Sequence, residues 1–229
     1  MKKERLLILF SKWPRNGNSK SRIAKILGGS NTEKFCFACL DDLIGKMKSL
    51  NGIDFIVVPN TAEESSLFTN RYGVFSLSLE SLGILPKNST SEAFYKLFNY
   101  FLKKYKKISL IPMDIPHIDQ EIIENSFRAL ENYDYVFGPE ENGGVYLIGL
   151  NKLSKDTFND IRWSTENSFN DLMKNCESST ILTMFFDLNT INDLISLNQF
   201  MLAQCPCLKR FIKSLILDKV MMKRETVSI

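Results

Sequence analysis

Charged and flexible residues concentrate in a few short stretches of this 229-residue chain. The first stretch, "SKWPRNGNSKSR" (11–22), carries Lys12, Lys20 and Arg22 around Gly17. Basic side chains at a glycine turn before a helix can cradle a phosphate, because the helix start adds free N–H donors and partial positive charge. The spacing is not that of a Walker A loop. A solvated basic loop is the alternative interpretation.

A single aspartate marks the end of one predicted strand. In "LIPMDIPH" (110–117), Asp114 lies between Pro112 and Pro116, which restrict the backbone and hold the carboxylate in one place. Hard divalent cations such as Mg²⁺ or Mn²⁺ prefer oxygen ligands of this kind. Asp114 is therefore a candidate metal ligand, and capping of the following turn is the alternative.

Two further oxygen-bearing side chains occur late in the chain. Asp187 and Asn189 in "FFDLNTINDL" are two residues apart, so they lie on the same side if the segment is extended. One of them could complete a metal site opposite Asp114. Simple capping is the alternative, since Thr190 and Asp193 have the spacing of a capping box at a helix start.

A glycine pair and a tryptophan are the remaining candidates. Gly143 and Gly144 precede the apolar run "VYLIGL", where a plain strand has no need for them, so they indicate a ligand close to the main chain. Trp163 in "RWSTENSF" could stack on a base or a sugar ring, or belong to the core. Ser164 or Thr165 would then cap the helix that follows.

Apolar runs alternate with amphipathic stretches along the chain. The predicted strands are 5–11, 54–59, 74–79, 107–112, 134–139 and 145–150, and the predicted helices are 20–27, 31–50, 91–105 and 119–132. This alternation indicates an α/β fold in three α/β/α layers with a mostly parallel sheet. Such sheets bind ligands at the carboxyl ends of their strands, where the stretches above would meet in one site.

The composition narrows the class of protein. A net charge of +3 is too small to indicate nucleic-acid binding. No apolar run approaches the length of about 18 residues that a membrane span requires. The N-terminal apolar run is short and ends at Lys12, which fits a first strand better than a secretory signal. An odd number of cysteines, five, argues against a disulfide framework, so a cytoplasmic location is expected.

These blocks, in this order, resemble the bacterial DUF2064 family. Its members are glycosyltransferase-A-like proteins, sometimes called arsenosugar-biosynthesis-type glycosyltransferases, related to the molybdenum-cofactor nucleotidyltransferases and phospholactate guanylyltransferase. The resemblance runs from about residue 5 to about residue 197. It implies a nucleotide-diphospho-sugar transferase fold (GT-A-like, Rossmann-like). It also implies a nucleoside triphosphate or nucleotide sugar as ligand, with Mg²⁺ or Mn²⁺ as cofactor.

The resemblance also assigns roles to individual residues. It implies Asp114, Lys20 and Arg22 as catalytic residues and Asp114, Asn189 and Asp187 as metal ligands. The implied substrate-binding residues are Lys12, Pro14, Gly17, Ser21, Asn142, Gly143, Gly144, Tyr146, Trp163, Ser164 and Thr165.

Two departures from the family pattern leave two functions open. Asn142 stands where the family has an acid, and "PKNSTSEAF" replaces a Gly-Asp-Leu-Gly-x-Arg loop. The first hypothesis is a metal-dependent transferase that moves a glycosyl or nucleotidyl group to a small acceptor. The alternative is a catalytically impaired protein on the same fold that binds a nucleotide or sugar or serves in an assembly.

The C-terminal segment is predicted to be separate from the catalytic domain. We expect a GT-A-like domain over residues 1–204 and an amphipathic basic helix within 205–229. The helix, over 207–224, has an apolar stripe flanked by lysines and arginines. It could pack on its own domain, join a homodimer or lie on an anionic membrane surface, and the packing interpretations are favoured.

Overall fold

A computed structural model describes the backbone of residues 2–15 and 20–226, and the side chains of this part as far as residue 216. In these residues the strands are β1 (Lys3–Phe10), β2 (Asp54–Val58), β3 (Phe75–Ser76), β4 (Tyr105–Pro112), β5 (Tyr135–Pro139), β6 (Val145–Leu150) and β7 (Ser179–Ile181). The helices are α1 (Ser21–Leu27), α2 (Gly29–Met47), α3 (Ala62–Tyr72), α4 (Thr90–Leu102), α5 (Gln120–Ala129), α6 (Ser168–Asn175), α7 (Ile191–Ser196), α8 (Gln199–Ala203) and α9 (Pro206–Thr226).

The strands form one sheet in the order β3-β2-β1-β4-β6-β5-β7. Strand β1 pairs in parallel with both β2 and β4, and β5 pairs in parallel with β7. Strand β6 is antiparallel to its neighbours β4 and β5. The carboxyl ends of β1, β4 and β5 therefore meet at one edge, together with the start of β6.

Both faces of the sheet are buried, so the strands carry apolar residues on both sides. In β1, Leu7 and Leu9 face a core shared with α2, α3 and α5. The alternate residues Leu6 and Ile8 face a second core shared with α4 and α6. The predicted three-layer α/β/α fold with a mostly parallel sheet is confirmed.

Side-chain caps define several helix starts. Thr61 accepts a hydrogen bond from the backbone of Glu64 at the start of α3, and Asp119 caps α5 in the same way. At α7 the side chains of Thr190 and Asp193 form the reciprocal capping box that their spacing predicts. These caps satisfy N–H groups that have no partner within the helix.

The structure differs from the sequence-based elements in several places. Helix α3 was missed because it is mostly polar and buries only Phe68, so its apolar periodicity is weak. Strand β7 was missed because it has three residues. The predicted strand 74–79 shortens to β3, and α8 was also missed.

The predicted helix start at residues 162–169 was wrong in position. Helix α6 begins at Ser168, and neither Ser164 nor Thr165 caps it. Ser164 instead has a φ of 61° in a turn. Thr165 accepts a hydrogen bond from the backbone N–H of Asn167 at 3.2 Å, which stabilises that turn locally.

The beginning of α9 is anchored on the domain. The buried carboxylate of Asp42 in α2 accepts hydrogen bonds from the backbone N–H groups of Cys207 and Leu208, each at 2.9 Å. Leu208 and Phe211 join the core on the α2 side. The division of the chain after residue 204 stays a prediction, as do contacts of α9 with a membrane or a second copy. Among the residues described, no helix is both long and apolar enough to cross a bilayer.

We predict that Asp42→Ala releases the start of α9. The change leaves the buried N–H of Leu208 and the half-buried N–H of Cys207 without an acceptor, and a buried N–H group without a partner costs about 1–3 kcal/mol. The free energy of unfolding in urea should fall by at least this cost. Asp42→Asn retains one oxygen acceptor and should lose clearly less. Equal losses for the two variants would contradict the anchoring role.

Candidate functional site

A cavity of about 510 Å³ opens at the edge where the strands end. Its walls come from the start of α1, the end of β4, the β5–β6 turn, the loop before α6 and the segment before α7. Its lining residues are Arg22, Pro112, Asp114, Glu140, Asn142, Gly144, Val145, Trp163, Ser164, Thr165, Glu166, Ser168, Asp187 and Asn189. Residues distant in sequence therefore meet at the edge that the strand order predicts.

Asp114 occupies the turn directly after β4. Its backbone C=O accepts a hydrogen bond from the N–H of Leu188 at 2.8 Å, which joins this turn to the segment before α7. Its side-chain Oδ2 lies 2.6 Å from Nζ of Lys20. The other oxygen, Oδ1, is buried and has no hydrogen-bond partner. A buried carboxylate oxygen without a partner is costly, so a ligand would stabilise it.

Lys20 is a buried cation, with 8% of its side chain exposed, and it lies behind the cavity lining rather than in it. Its Nζ contacts Oδ2 of Asp114 at 2.6 Å and Oδ1 of Asn189 at 2.5 Å. Burial acts to lower the pKa of Lys20, but the charges of Asp114 and Asp187 outweigh it and raise that pKa above its ordinary value. Lys20 is therefore an ammonium at neutral pH.

The segment before α7 presents Asp187 and Asn189 to the cavity. The carboxylate of Asp193 accepts hydrogen bonds from the backbone N–H groups of Asn189 and Thr190, which fixes the segment. Nδ2 of Asn189 and Nδ2 of Asn142 both donate to the carboxylate of Asp187. Capping thus falls to Thr190 and Asp193, and the Asp187 and Asn189 side chains line the cavity.

Four carboxyl groups line this cavity, those of Asp114, Glu140, Glu166 and Asp187, and the charges of Asp114 and Asp187 act on that of Glu140. Burial, followed by the charge of Asp114, raises the pKa of Asp187. Burial, followed by the charges of Asp187 and Asp114, raises the pKa of Glu140 to about 8. Sequence reasoning missed Glu140, although its place directly after β5, on the same edge as Asp114, was a usable signal. The wall therefore favours the binding of a cation.

The donor set fits a weakly held divalent cation. Within residues 2–15 and 20–216, no group of three or more His, Cys, Asp and Glu side chains is arranged to hold a metal. Asp114, Asp187 and Asn189 nevertheless share one wall, and Oδ1 of Asp114 lacks a partner. Mg²⁺ commonly binds one or two carboxylates and completes its shell with water and substrate phosphates. The metal site remains a prediction that these residues fit.

The structure gives Gly143 a different purpose from the predicted one. A Cβ at this position would lie 2.1 Å from the backbone O of Glu166, and its φ is 82°. The space above Gly143 is thus filled by the loop before α6, so the interpretation that it leaves room for a ligand needs correction. The glycine is required by close packing and by its backbone conformation.

The neighbouring glycine retains a place in the cavity wall. A Cβ at Gly144 would lie 2.2 Å from Oε2 of Glu140 and 2.9 Å from Oδ1 of Asn142. Its backbone N–H donates to Oδ1 of Asn142 at 2.8 Å. Gly144 therefore lets two polar side chains fold over the turn, at a position that lines the cavity.

Trp163 packs on the domain, as the core interpretation predicts, and stacking on a base or sugar stays a prediction. Its indole Nε1 donates to Oγ of Ser91 at 2.7 Å, and its ring meets Phe94 edge to face at 5.0 Å. The half-buried ring also lines the cavity beside Ser164 and Thr165. One side of the ring thus packs on the domain, and the cavity side is available to a base or sugar.

Several predicted binding residues lie outside the lining of this cavity. Lys12 and Ser21 are exposed elsewhere on the loop and on α1, and Pro14 is buried. Gly17 lies outside the residues that the structure describes. Tyr146 is fully buried, donates from Oη to the backbone O of Thr183 at 2.7 Å and packs on Gly138. A packing role accounts for Tyr146 without a ligand.

The middle of the chain matches a known protein family. Residues 80–165 match the family described as "Uncharacterized protein conserved in bacteria (DUF2064)". The predicted resemblance to DUF2064 is confirmed. The matched region includes Asp114, the glycine pair and Trp163. The loop before α1 and the segment before α7 lie outside the DUF2064 match.

Curated relatives extend the similarity beyond the DUF2064 region. The 2-phospho-L-lactate guanylyltransferase of Methanocaldococcus jannaschii is 24% identical over 204 residues, which are 87% of this chain and 84% of that protein. A solved structure from Desulfovibrio desulfuricans G20, assigned to the nucleotide-diphospho-sugar transferases, covers 92% of this chain and 99% of its own. It has 20% identity and a TM-score of 0.74.

A second solved structure supports the same fold. The 4-diphosphocytidyl-2C-methyl-D-erythritol synthase of Anaerococcus prevotii matches with a TM-score of 0.53 and 10% identity, over 84% of this chain and 95% of that one. The DUF2064-like chain therefore has the fold of nucleotide-diphospho-sugar transferases. Its sequence is similar to those of nucleotidyltransferases.

We predict that Gly143→Ala strongly destabilises the protein. The added Cβ meets the Glu166 backbone and forces a residue with a side chain into positive φ, which together should cost more than about 1–3 kcal/mol. Gly45→Ala is the matched control, because Gly45 lies inside α2 with open space around it. The control should gain about 0.5–1 kcal/mol. Urea unfolding of both variants measures the contrast, and similar effects would contradict the packing role.

We predict that Glu140 gives stability a pH dependence. Its pKa is about 8 in the folded protein against an ordinary 4.5, so the folded state binds more protons between these values. The free energy of unfolding should therefore fall as pH rises through this window. Glu140→Gln should flatten that fall, whereas Glu141→Gln, at an exposed neighbour, should not. Identical pH profiles for the wild type and Glu140→Gln would refute the assignment.

Proposed function

We propose that the protein is a divalent-metal-dependent nucleotidyltransferase that takes a nucleoside triphosphate and a small acceptor. The observation that carries the proposal is that Arg22, Asp114 and Asp187 line one cavity. Directly behind this lining, the ammonium of Lys20 contacts Asp114. This chemistry requires cationic side chains that bind the phosphates and carboxylates that bind the metal. Nucleotidyl transfer is favoured over glycosyl transfer because the curated relatives are guanylyltransferases by name.

The residues would divide the work as follows. Arg22, exposed at the cavity rim, would bind the outer phosphates of the nucleotide. Asp114, Asp187 and Asn189 would hold Mg²⁺ or Mn²⁺, which neutralises phosphate charge when bound. An acceptor oxygen would form a bond to the α-phosphorus, the bond to the β-phosphate would break, and pyrophosphate would leave. Trp163 would stack on the base or on a sugar.

Asn142 favours an acceptor that needs no general base. The side chain lines the cavity and donates to Asp187, and an amide cannot take a proton from a hydroxyl. A phosphate monoester is already largely ionised at pH 7, because its second pKa is about 6. An acceptor that offers a phosphate oxygen therefore suits this wall. The proposal also places the protein in the cytoplasm, where nucleoside triphosphates are available.

A catalytically impaired binding protein is the second candidate. Two observations favour it: Asn142 replaces the acid of the family pattern, and the ammonium of Lys20 contacts two of the predicted metal ligands. Such a protein would bind a nucleotide or sugar without needing Asp114 or a metal. Metal dependence separates the two candidates.

The test is thermal unfolding with a panel of nucleoside triphosphates and nucleotide sugars, with and without Mg²⁺ or Mn²⁺. A ligand at 100 times its Kd stabilises the fold by about 2.7 kcal/mol, or roughly 5–10 °C for a chain of this length. We expect a metal-dependent shift with one nucleoside triphosphate. Pyrophosphate release with phosphorylated acceptors then measures turnover.

Asp114→Asn should abolish the metal-dependent part of the shift and the turnover. Asp156→Asn is the matched control, since Asp156 is exposed and lies outside the lining of the cavity. A shift that ignores both the metal and Asp114 would favour the binding protein. No shift with any ligand would refute both candidates.

A further inference from the structure

A cation of the protein itself, the ammonium of Lys20, contacts two of the predicted metal ligands. Nζ of Lys20 lies 2.6 Å from Oδ2 of Asp114 and 2.5 Å from Oδ1 of Asn189. The exposed fractions of the Lys20 and Asp114 side chains are 8% and 20%, so this contact is largely shielded from solvent. The ammonium and a divalent cation would compete for the same oxygen atoms.

The competition is electrostatic as well as spatial. An ammonium that stays within contact of Asp114 neutralises one carboxylate charge and repels a second cation, and partial burial weakens the screening by water. Oδ1 of Asp114 still lacks a hydrogen-bond partner, so Lys20 satisfies only one of the two carboxylate oxygens. A free metal ion must therefore displace Lys20 or bind beside it, and both options lower its affinity.

A polyphosphate would change this balance. Lysine carries a compact charge on a flexible four-carbon stem, so its ammonium can move between acceptors without a change of backbone. Arg22, two residues further along, lines the cavity together with Asp114 and Asn189, the contacts of Lys20, and would hold a phosphate group near them. Phosphate oxygens offer the ammonium a strong alternative partner. Its departure would free Asp114 and Asn189 for a metal.

We propose that Lys20 occupies the cation position of the site before a nucleotide binds, and that the polyphosphate of the nucleotide draws its ammonium away so that the metal can bind. This inference rests on the proposed function. It gives Lys20 two partners in turn, a carboxylate before binding and a phosphate afterwards. Metal and nucleotide then bind as a coupled pair, and each must raise the affinity for the other by the same factor.

The direct test measures Mn²⁺ binding to the protein without nucleotide. Electron paramagnetic resonance reports the concentration of free Mn²⁺. The wild type should bind Mn²⁺ weakly. Lys20→Met removes the competing ammonium and should bind Mn²⁺ at least 10-fold more tightly. Lys25→Met removes the same charge from an exposed position on α1 and should resemble the wild type. Adding Asp114→Asn to Lys20→Met should abolish the gain.

A second measurement covers the case in which Lys20→Met does not fold. The Kd of the wild type for Mn²⁺ is measured with and without saturating GTP, after correction for the Mn²⁺–GTP complex in solution. At least 10-fold coupling is expected. Equal affinities in the two conditions would overturn the inference.

The outcomes separate this inference from the proposed function. The wild type could show metal-dependent nucleotide binding while a folded Lys20→Met variant binds Mn²⁺ no more tightly than the wild type. This result would overturn the role of Lys20 and leave the transferase proposal intact. If Lys25→Met also binds Mn²⁺ more tightly than the wild type, the change in net charge alone explains the gain. That result would also overturn the role of Lys20. Absence of nucleotide binding under any condition would instead refute the proposed function.

Discussion

The buried ion pair between Lys20 and Asp114 joins parts of the chain that are 94 residues apart. It ties the start of α1 to the end of β4, and the contact of Lys20 with Asn189 extends the link to the segment before α7. The backbone hydrogen bond from Leu188 to Asp114 reinforces the same junction. A buried charge requires a partner, so these elements cannot separate without exposing or stranding one. This junction holds Asp114 and Asn189 together in the lining of the cavity.

Much of the fold followed from local patterns in the sequence. The apolar runs of β1 and β4 and the amphipathic α4 are strong signals, because each buries a continuous face. Elements that bury little, such as α3 with its single buried Phe68, leave almost no periodicity to detect. The reversed direction of β6 is set by its pairing with β4 and β5, which is a tertiary property.

The candidate site was predictable where its residues end strands. Asp114, Asp187 and Asn189 were proposed from their positions and line one cavity. The purpose of Gly143 was not predictable, because the residue that fills the space above it, Glu166, belongs to a distant loop. Tyr146 carried a resemblance to a binding motif, yet its hydrogen bond to Thr183 and its burial are packing features. Sequence alone cannot separate a residue that packs in the core from one that contacts a ligand.

The hairpin turn between β5 and β6 has a consequence for how this protein should be aligned with others. Glu140 and Asn142 both line the cavity from the same turn, and both approach Gly144. An acidic side chain can therefore shift by two positions in the sequence and still line the same wall. An alignment column at residue 142 records the loss of an acid, although the cavity retains one from residue 140. Acidic groups around this cavity should be counted over the whole turn.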